Sequence, residues 1–262
     1  MSKKFKLCPK IDTGLADYAK LSKYVRSNLE IQLIGKADKV DLVSLLKQVN
    51  VPNIVLHASN VAYDICEIVR SEEQQKYIHE FLVDAVKAVN EGFKIRFLFH
   101  CGWSRFDVTN SEICDYLKKL YEEFKIPILL ENTIELGEYD RAVKVVNLMH
   151  APYVSLCLDM SHVRAIINRG IDYKRYFKGI NSCKHIHMNY ASCGDGYMNL
   201  ATHGVTHPSK DTIMEDVSIL EEFNIGGITM CPEVVEVGNM YYTREQERRE
   251  IKKLLQANVV VV

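Results

Sequence analysis

Short apolar runs alternate along the chain with longer, charged stretches. The runs are almost continuously apolar, which is typical of strands that are buried on both faces of a parallel sheet. They span residues 5–11, 31–35, 53–58, 94–100, 126–132, 154–160, 184–189 and 227–233. This pattern predicts eight strands.

The stretches between the runs carry apolar residues at three- and four-residue spacing, which predicts amphipathic helices. The clearest helix is predicted over 71–92, and Gly92 is a typical signal for its end. Another is predicted over 110–124, with Asn110 or Ser111 as its N-cap. Two more are predicted over 137–149 and 243–255.

Eight strand–helix units in 262 residues predict an α/β fold, a (β/α)8 TIM barrel. A doubly wound open sheet is the rival, but no glycine-rich nucleotide loop follows the first predicted strand. No linker or low-complexity segment divides the chain, so we expect a single domain over residues 1–262. The functional site is then expected at the barrel mouth, where the C-terminal ends of the strands converge.

Composition and charge narrow the class of protein only a little. The formal net charge of −1 lacks the basic footprint that many nucleic-acid-binding proteins show. The eight cysteines include no C-x-x-C pair, and several lie in apolar runs, where a thiol behaves as a small buried hydrophobe. The basic N-terminus lacks the apolar core of a signal peptide, and no run is long enough to span a membrane. We therefore expect a reduced, cytoplasmic protein without membrane contact.

Six predicted strands carry an ionisable residue at or near their C-terminal end. These residues are His57, His100, Glu131, Asp159, His187 and Glu233. Any one of them alone is more often a cap or a core residue, but six at corresponding positions are poorly explained by separate accidents. Gathering such groups in a partly desolvated mouth is unfavourable unless something compensates their charge. Divalent cations would do so, and imidazole with carboxylate suits zinc, manganese or iron.

His185 and His187 share one face of a strand because side chains alternate along it. His185 would lie two residues deeper in the barrel, so we expect it in the core or behind the ligands. Asp159 ends a strand and His162 begins the next segment, so both can face the mouth toward different metals.

Short motifs on successive strands carry a family resemblance. They read "VLHAS" (55–59), "FHCG" (99–102), "LLENT" (129–133), "LDMSH" (158–162), "HMN" (187–189) and "CPEV" (231–234). Their order and placement resemble the endonuclease IV family (AP endonuclease family 2) within the xylose-isomerase-like TIM-barrel superfamily. The resemblance covers most of the chain.

The resemblance implies two or three metal ions, usually zinc, and DNA cleavage 5′ to abasic sites. Glu131 would be catalytic, bridging two metals and orienting the attacking water. The implied ligands are His57, His100 and Glu131 for the first metal, Glu131, Asp159, His187 and Glu233 for the second, and His162 with His203 for the third. His207 is a weaker candidate than His203.

The chain departs from the family at the third metal. The family has an aspartate two residues before the loop histidine, where this chain has Ala201. Asp195 is the substitute that the same loop offers. The third site is therefore expected to be altered or weaker.

The sequence indicates the residues that contact the substrate less clearly than it indicates the metal ligands. Trp103 and Arg164 are candidates for binding the substrate, by stacking and by phosphate contact. Further candidates for phosphate contact are Lys10, Lys36, Arg105 and Lys210. No protein partner can be inferred.

Two other functions stay open. A sugar isomerase or epimerase would need only a single manganese, magnesium or cobalt ion, held by Glu131, Asp159, His187 and Glu233. That alternative leaves His57, His100 and His162 largely unexplained. A metal-binding protein without turnover is favoured only by Ala201.

Overall fold

The structure is a computed structural model of the 262-residue chain. It describes residues 6–8, 10–13, 27–33, 41–58, 64–102, 107–132, 141–160, 162–163, 174, 177, 179–188, 215, 218–223, 225 and 229–232.

The strands of this part, in chain order, are β1 (Lys6–Leu7), β2 (Lys10–Asp12), β3 (Asn28–Gln32), β4 (Asn53–His57), β5 (Lys94–Cys101), β6 (Ile128–Asn132), β7 (Val154–Asp159), β8 (Cys183–Met188) and β9 (Thr229–Pro232). The helices are α1 (Leu42–Val49), α2 (Ile65–Arg70), α3 (Glu72–Asn90), α4 (Asn110–Phe124) and α5 (Arg141–Met149).

The chain divides into two compact units. The first unit is Lys10–Leu156, and the second unit combines Met1–Pro9 with Cys157–Val262. Strand β7 runs across the boundary in the sequence. The expectation of one domain over 1–262 stays a prediction.

The first unit is built on five parallel strands in the order β2-β3-β4-β5-β6. The strand interiors are apolar and buried, as in Leu29, Leu56 and Phe97. Helices α1 to α5 connect or follow the strands, and each turns a buried apolar stripe inward. This is the strand–helix alternation that the apolar runs predict.

The register of these strands places a set of polar side chains on one face. Lys10 is paired with Glu30 across β2 and β3, and Gln32 with His57 across β3 and β4. On the other side, Leu98 is paired with His57, and His100 with Glu131. Paired residues of a parallel sheet point to the same side, and so do residues two apart on one strand. The ionisable residues Lys10, Glu30, His57, His100 and Glu131 therefore share one face.

The second unit contains the parallel strands β1, β9 and β8 as neighbours. The apolar run 5–11, predicted as one strand, is two strands: β1 pairs with β9, and β2 pairs with β3 in the first unit. Pro9 separates them in the sequence, and a proline has no N–H to donate to a sheet.

The helix ends follow ordinary capping chemistry, with one correction. Thr109 is the N-cap of α4, and it forms a capping box with Glu112. The predicted caps Asn110 and Ser111 are wrong, because Asn110 is already the first helical residue. Helix α3 ends at Asn90, and Gly92 follows with φ of 99°, a conformation that glycine adopts readily.

Within the described ranges, no helix has both the length and the apolar character needed to cross a membrane.

Replacing the N-cap of α3 tests this account of the first unit. The Ser71 side chain accepts a hydrogen bond from the backbone N–H of Gln74, 3.3 Å away. Ser71→Ala should lower the free energy of unfolding by about 1 kcal/mol, because that N–H loses its partner. Ser111→Ala, on the exposed side of α4, should change it by less than about 0.5 kcal/mol. Urea denaturation of both variants measures the difference, and equal stabilities would contradict the capping role.

Candidate metal centre

Three predicted ligands meet at the ends of three neighbouring strands of the first unit. His57 ends β4, His100 lies next to the end of β5, and Glu131 lies next to the end of β6. Glu131 Oε2 lies 3.1 Å from His100 Nε2 and 3.7 Å from His57 Nε2. The two imidazole rings are 5.0 Å apart between centroids and nearly perpendicular, at 78°. One ligand atom from each residue lies within 4.8 Å of the other two.

The donor set and its spacing fit a divalent cation. Two ligands of one tetrahedral zinc ion lie about 3.4 Å apart, given metal–ligand bonds of about 2.1 Å. The 3.1 Å and 3.7 Å separations from Glu131 Oε2 bracket that value. Two imidazoles and one carboxylate are ligands that zinc accepts, and also manganese or iron. These residues could therefore hold a divalent metal ion.

The surroundings of the two histidines shift their pKa values in opposite directions. Burial, reinforced by the nearby Lys10 ammonium, lowers the pKa of His57 to about 4, although Glu30 and Glu131 act against this. His57 is therefore neutral near pH 7, as a metal ligand must be. For His100, burial acts to lower the pKa, but the Glu131 and Asp64 carboxylates outweigh it and raise the pKa above 6.5.

A buried pair of charges lies behind His57, and sequence reasoning missed its role. Lys10 Nζ lies 3.2 Å from Glu30 Oε1, and both side chains are almost fully buried. The predicted phosphate contact by Lys10 is wrong, because this ammonium points into the protein and is paired there. A signal was present: Glu30 is a charged residue directly before an apolar run.

Asp64 also lies in this centre without having been predicted. Its carboxylate caps α2 by accepting from the Cys66 N–H at 2.8 Å, and it accepts from the Gly102 N–H at 3.2 Å. Asp64 and His100 also form a parallel β-bridge. Asp64 thus joins the start of α2 to the end of β5 beside the His100 ligand.

The other predicted ligands that the structure describes lie in the second unit. Asp159 accepts a hydrogen bond from the His162 backbone N–H at 3.3 Å, and its other oxygen lies 3.6 Å from His162 Nε2. His185 and His187 are fully buried, with ring centroids 5.3 Å apart. One ligand atom from each of His185, His187 and Cys157 lies within 4.8 Å of the other two, which is close enough for a shared metal ion. Their roles as ligands, and that of His185 as a core residue behind them, stay predictions.

Several predicted site residues lie outside the described part of the chain. They are Trp103, Arg164, Ala201, His203, His207 and Glu233, together with Lys36, Arg105, Asp195 and Lys210.

Comparison with known protein sequences tests the family resemblance. No protein-family model matches the chain. A probable endonuclease 4 from Mesomycoplasma hyopneumoniae (strain 7448) is 24% identical over 186 residues, which cover 60% of this chain. The chain matches 64% of the length of that protein.

Solved structures bear on the fold. Endonuclease IV from Thermus thermophilus has a TM-score of 0.60 at 14% identity, over 96% of this chain and 99% of that one. A xylose isomerase domain protein from Planctomyces limnophilus has a TM-score of 0.64 at 11% identity, over 98% and 97%. Like these structures, the chain has an α/β TIM-barrel fold. The predicted fold class is confirmed, and the matches support the resemblance to the endonuclease IV family.

A 3-keto-D-glucoside 4-epimerase from E. coli also has a similar fold. It has a TM-score of 0.60 at 11% identity, over 95% of this chain and 100% of the epimerase. The fold alone therefore does not choose between a nuclease and a sugar enzyme.

Removing either histidine of the candidate metal centre in the first unit should remove metal from the protein. His57→Ala and His100→Ala should each lower the zinc bound per chain by about one ion, because a three-residue site loses one of its ligands. Elemental analysis after gel filtration measures this. His79→Ala is the matched control, since His79 is exposed and paired at the surface with Glu123. Unchanged zinc in both site variants would contradict the assignment.

The pKa values also predict how metal binding depends on pH. A proton on His100 competes with the metal, so affinity should fall as the pH drops through a midpoint above 6.5, well before His57 is protonated near pH 4. Asp64→Asn should move the midpoint to lower pH, because it removes a carboxylate that raises the pKa of His100. Zinc competition with a fluorescent chelator, repeated over pH, measures the midpoint. Asp84→Asn, at a surface ion pair with Lys87, should leave it unchanged.

Proposed function

We propose that the chain is a metal-dependent phosphodiester hydrolase of the endonuclease IV type, which cleaves DNA 5′ to abasic sites. The proposal includes zinc as the metal and base-excision repair in the cytoplasm as the setting. The observation that carries it is the His57–His100–Glu131 cluster. A hydrolase that activates water on clustered metals needs these two histidines, whereas a one-metal sugar enzyme does not.

The sequence match supports the same choice. The probable endonuclease 4 is a nuclease by its name, and its similarity to this chain extends over 186 residues. Endonuclease IV from Thermus thermophilus shares the fold. The motifs at His57, His100 and Glu131 are among those that carry the resemblance.

Each described residue of the centre has a distinct task in this proposal. His57 and His100 present ring nitrogens as neutral ligands, and Glu131 contributes the negative charge. The Glu131 carboxylate is fully buried, so its orientation is fixed by packing, and it can accept a proton from a water placed at the site. Divalent metals, when bound, supply an acidified water and neutralise phosphate charge. Asp159, His162 and His187 are the further proposed ligands.

A sugar epimerase or isomerase is the second candidate. It is favoured by the 3-keto-D-glucoside 4-epimerase and by a D-tagatose 3-epimerase-like protein, which has a TM-score of 0.62 at 14% identity. In that case the site would hold one manganese, magnesium or cobalt ion, and Glu131 would move a proton on the substrate. The His57–His100 pair would then have no ligand role.

Neutralising Glu131 tests the proposal. Glu131→Gln should lower the rate of nicking a duplex with one abasic-site analogue by about a thousandfold or more, since both the ligand charge and the proton acceptor are lost. Glu123→Gln, on the exposed side of α4, should retain the wild-type rate. Gel separation of a 5′-labelled strand measures the rate and the position of the cut.

The nicking assay also distinguishes the proposed nuclease from the sugar epimerase or isomerase. Metal-loaded wild-type protein should nick the abasic duplex and leave an undamaged duplex intact. No nicking, with interconversion of ketoses or keto-glycosides in a sugar panel, would reject the nuclease proposal and favour the epimerase.

A further inference from the structure

One ring nitrogen of His57 lies within hydrogen-bonding distance of both a carboxylate and an ammonium group. His57 Nδ1 is 2.8 Å from Glu30 Oε1 and 3.0 Å from Lys10 Nζ. The ammonium and that same carboxylate oxygen are 3.2 Å apart. All three side chains are at most 4% exposed, so water contributes little to their hydrogen bonding.

These two neighbours make conflicting demands on the nitrogen. An ionised carboxylate only accepts hydrogen bonds, and an ammonium only donates them. Glu30 therefore requires a proton on His57 Nδ1, whereas Lys10 would require a lone pair there. The choice decides which ring nitrogen of the neutral imidazole is left to bind a metal.

The geometry favours the carboxylate. If Nδ1 carried a lone pair, it would face the Glu30 oxygen at 2.8 Å with no proton between two acceptors. If Nδ1 carries the proton, the same distance is that of a charge-assisted N–H···O bond. Lys10 then keeps its ion pair with Glu30, which holds the carboxylate ionised.

We propose that Glu30 and Lys10 are positioning residues of the metal centre, which fix His57 as the Nδ1–H tautomer and leave its Nε2 lone pair facing Glu131. This inference rests on the metal centre of the proposed function. Ligating histidines ordinarily donate their second N–H to a carboxylate or a carbonyl, which orients the ring and raises its basicity. Glu30 is that acceptor for His57. The ion pair with Lys10 keeps the Glu30 carboxylate in place.

The sheet makes this arrangement rigid. Lys10 and Glu30 are directly paired residues on β2 and β3. The end of β3 is tied to the residue after His57, because Gln32 Nε2 donates to the Ala58 carbonyl at 2.6 Å. The paired strands thus position Glu30 next to His57, and the 2.8 Å contact with Glu30 orients the His57 ring.

Three variants distinguish the role of Glu30 as hydrogen-bond acceptor from the role of Lys10 as its ion-pair partner. Glu30→Gln removes the acceptor charge but leaves the Lys10 ammonium buried, which endangers folding. Lys10→Met/Glu30→Gln removes both charges at similar volume and is the variant suited to folding. Lys10→Met alone leaves the Glu30 carboxylate buried without its counter-charge, so it should weaken the preference for the Nδ1–H tautomer.

The first readout is the protonation of each ring nitrogen, from 15N chemical shifts of metal-free protein with labelled histidine. The His57 signals are assigned by their loss in His57→Gln. Wild type should show a protonated Nδ1 and an unprotonated Nε2, and Lys10→Met should show a smaller fraction of that tautomer. Lys10→Met/Glu30→Gln should show a mixture or the reverse. A wild-type Nε2–H tautomer would overturn the inference.

The second readout is zinc affinity, by chelator competition. Lys10→Met/Glu30→Gln should bind zinc at the centre about 10- to 100-fold more weakly than wild type, with an unchanged circular dichroism spectrum. Unchanged affinity and tautomer would overturn the inference even if wild type nicks abasic DNA. The predicted changes in a protein without nuclease activity would uphold it and reject the proposed function alone.

Discussion

Burying ionisable side chains on one face of a parallel sheet is the constraint on which this structure depends. Side-chain alternation and strand register bring Lys10, Glu30, His57, His100 and Glu131 to the same face, where four are almost fully buried. An isolated charge there would be strongly unfavourable, so each group must have a partner. The way in which these partners are arranged determines what the centre can bind.

The charged groups of the centre differ in how firmly their partners fix them. Lys10 and Glu30 form a buried ion pair, and Glu30 holds His57. His100, one strand further, is the candidate ligand whose charge can change, because the Glu131 carboxylate raises the pKa of His100. A divalent cation can replace that proton as the partner of Glu131, so metal binding should release a proton from His100.

The positions of His57, His100 and Glu131 near strand ends could be predicted from the sequence because each lies at or near the end of an apolar run. His57, His100 and Glu131 are close to one another in the structure, as the barrel hypothesis requires. Glu30 was missed because the apolar run was read as starting at residue 31, whereas β3 starts at Asn28. Lys10 was predicted to contact phosphate because its partners lie on β3 and β4, up to 47 residues away in the sequence. Such pairing depends on register between strands, which local periodicity does not contain.

The most direct measurement is a crystal structure of the zinc-loaded protein with anomalous data collected at the zinc absorption edge. The account predicts an anomalous peak within bonding distance of His57 Nε2, His100 Nε2 and Glu131 Oε2, with His57 Nδ1 still against Glu30. A zinc-loaded crystal with no peak among these three atoms, and zinc bound elsewhere, would contradict it.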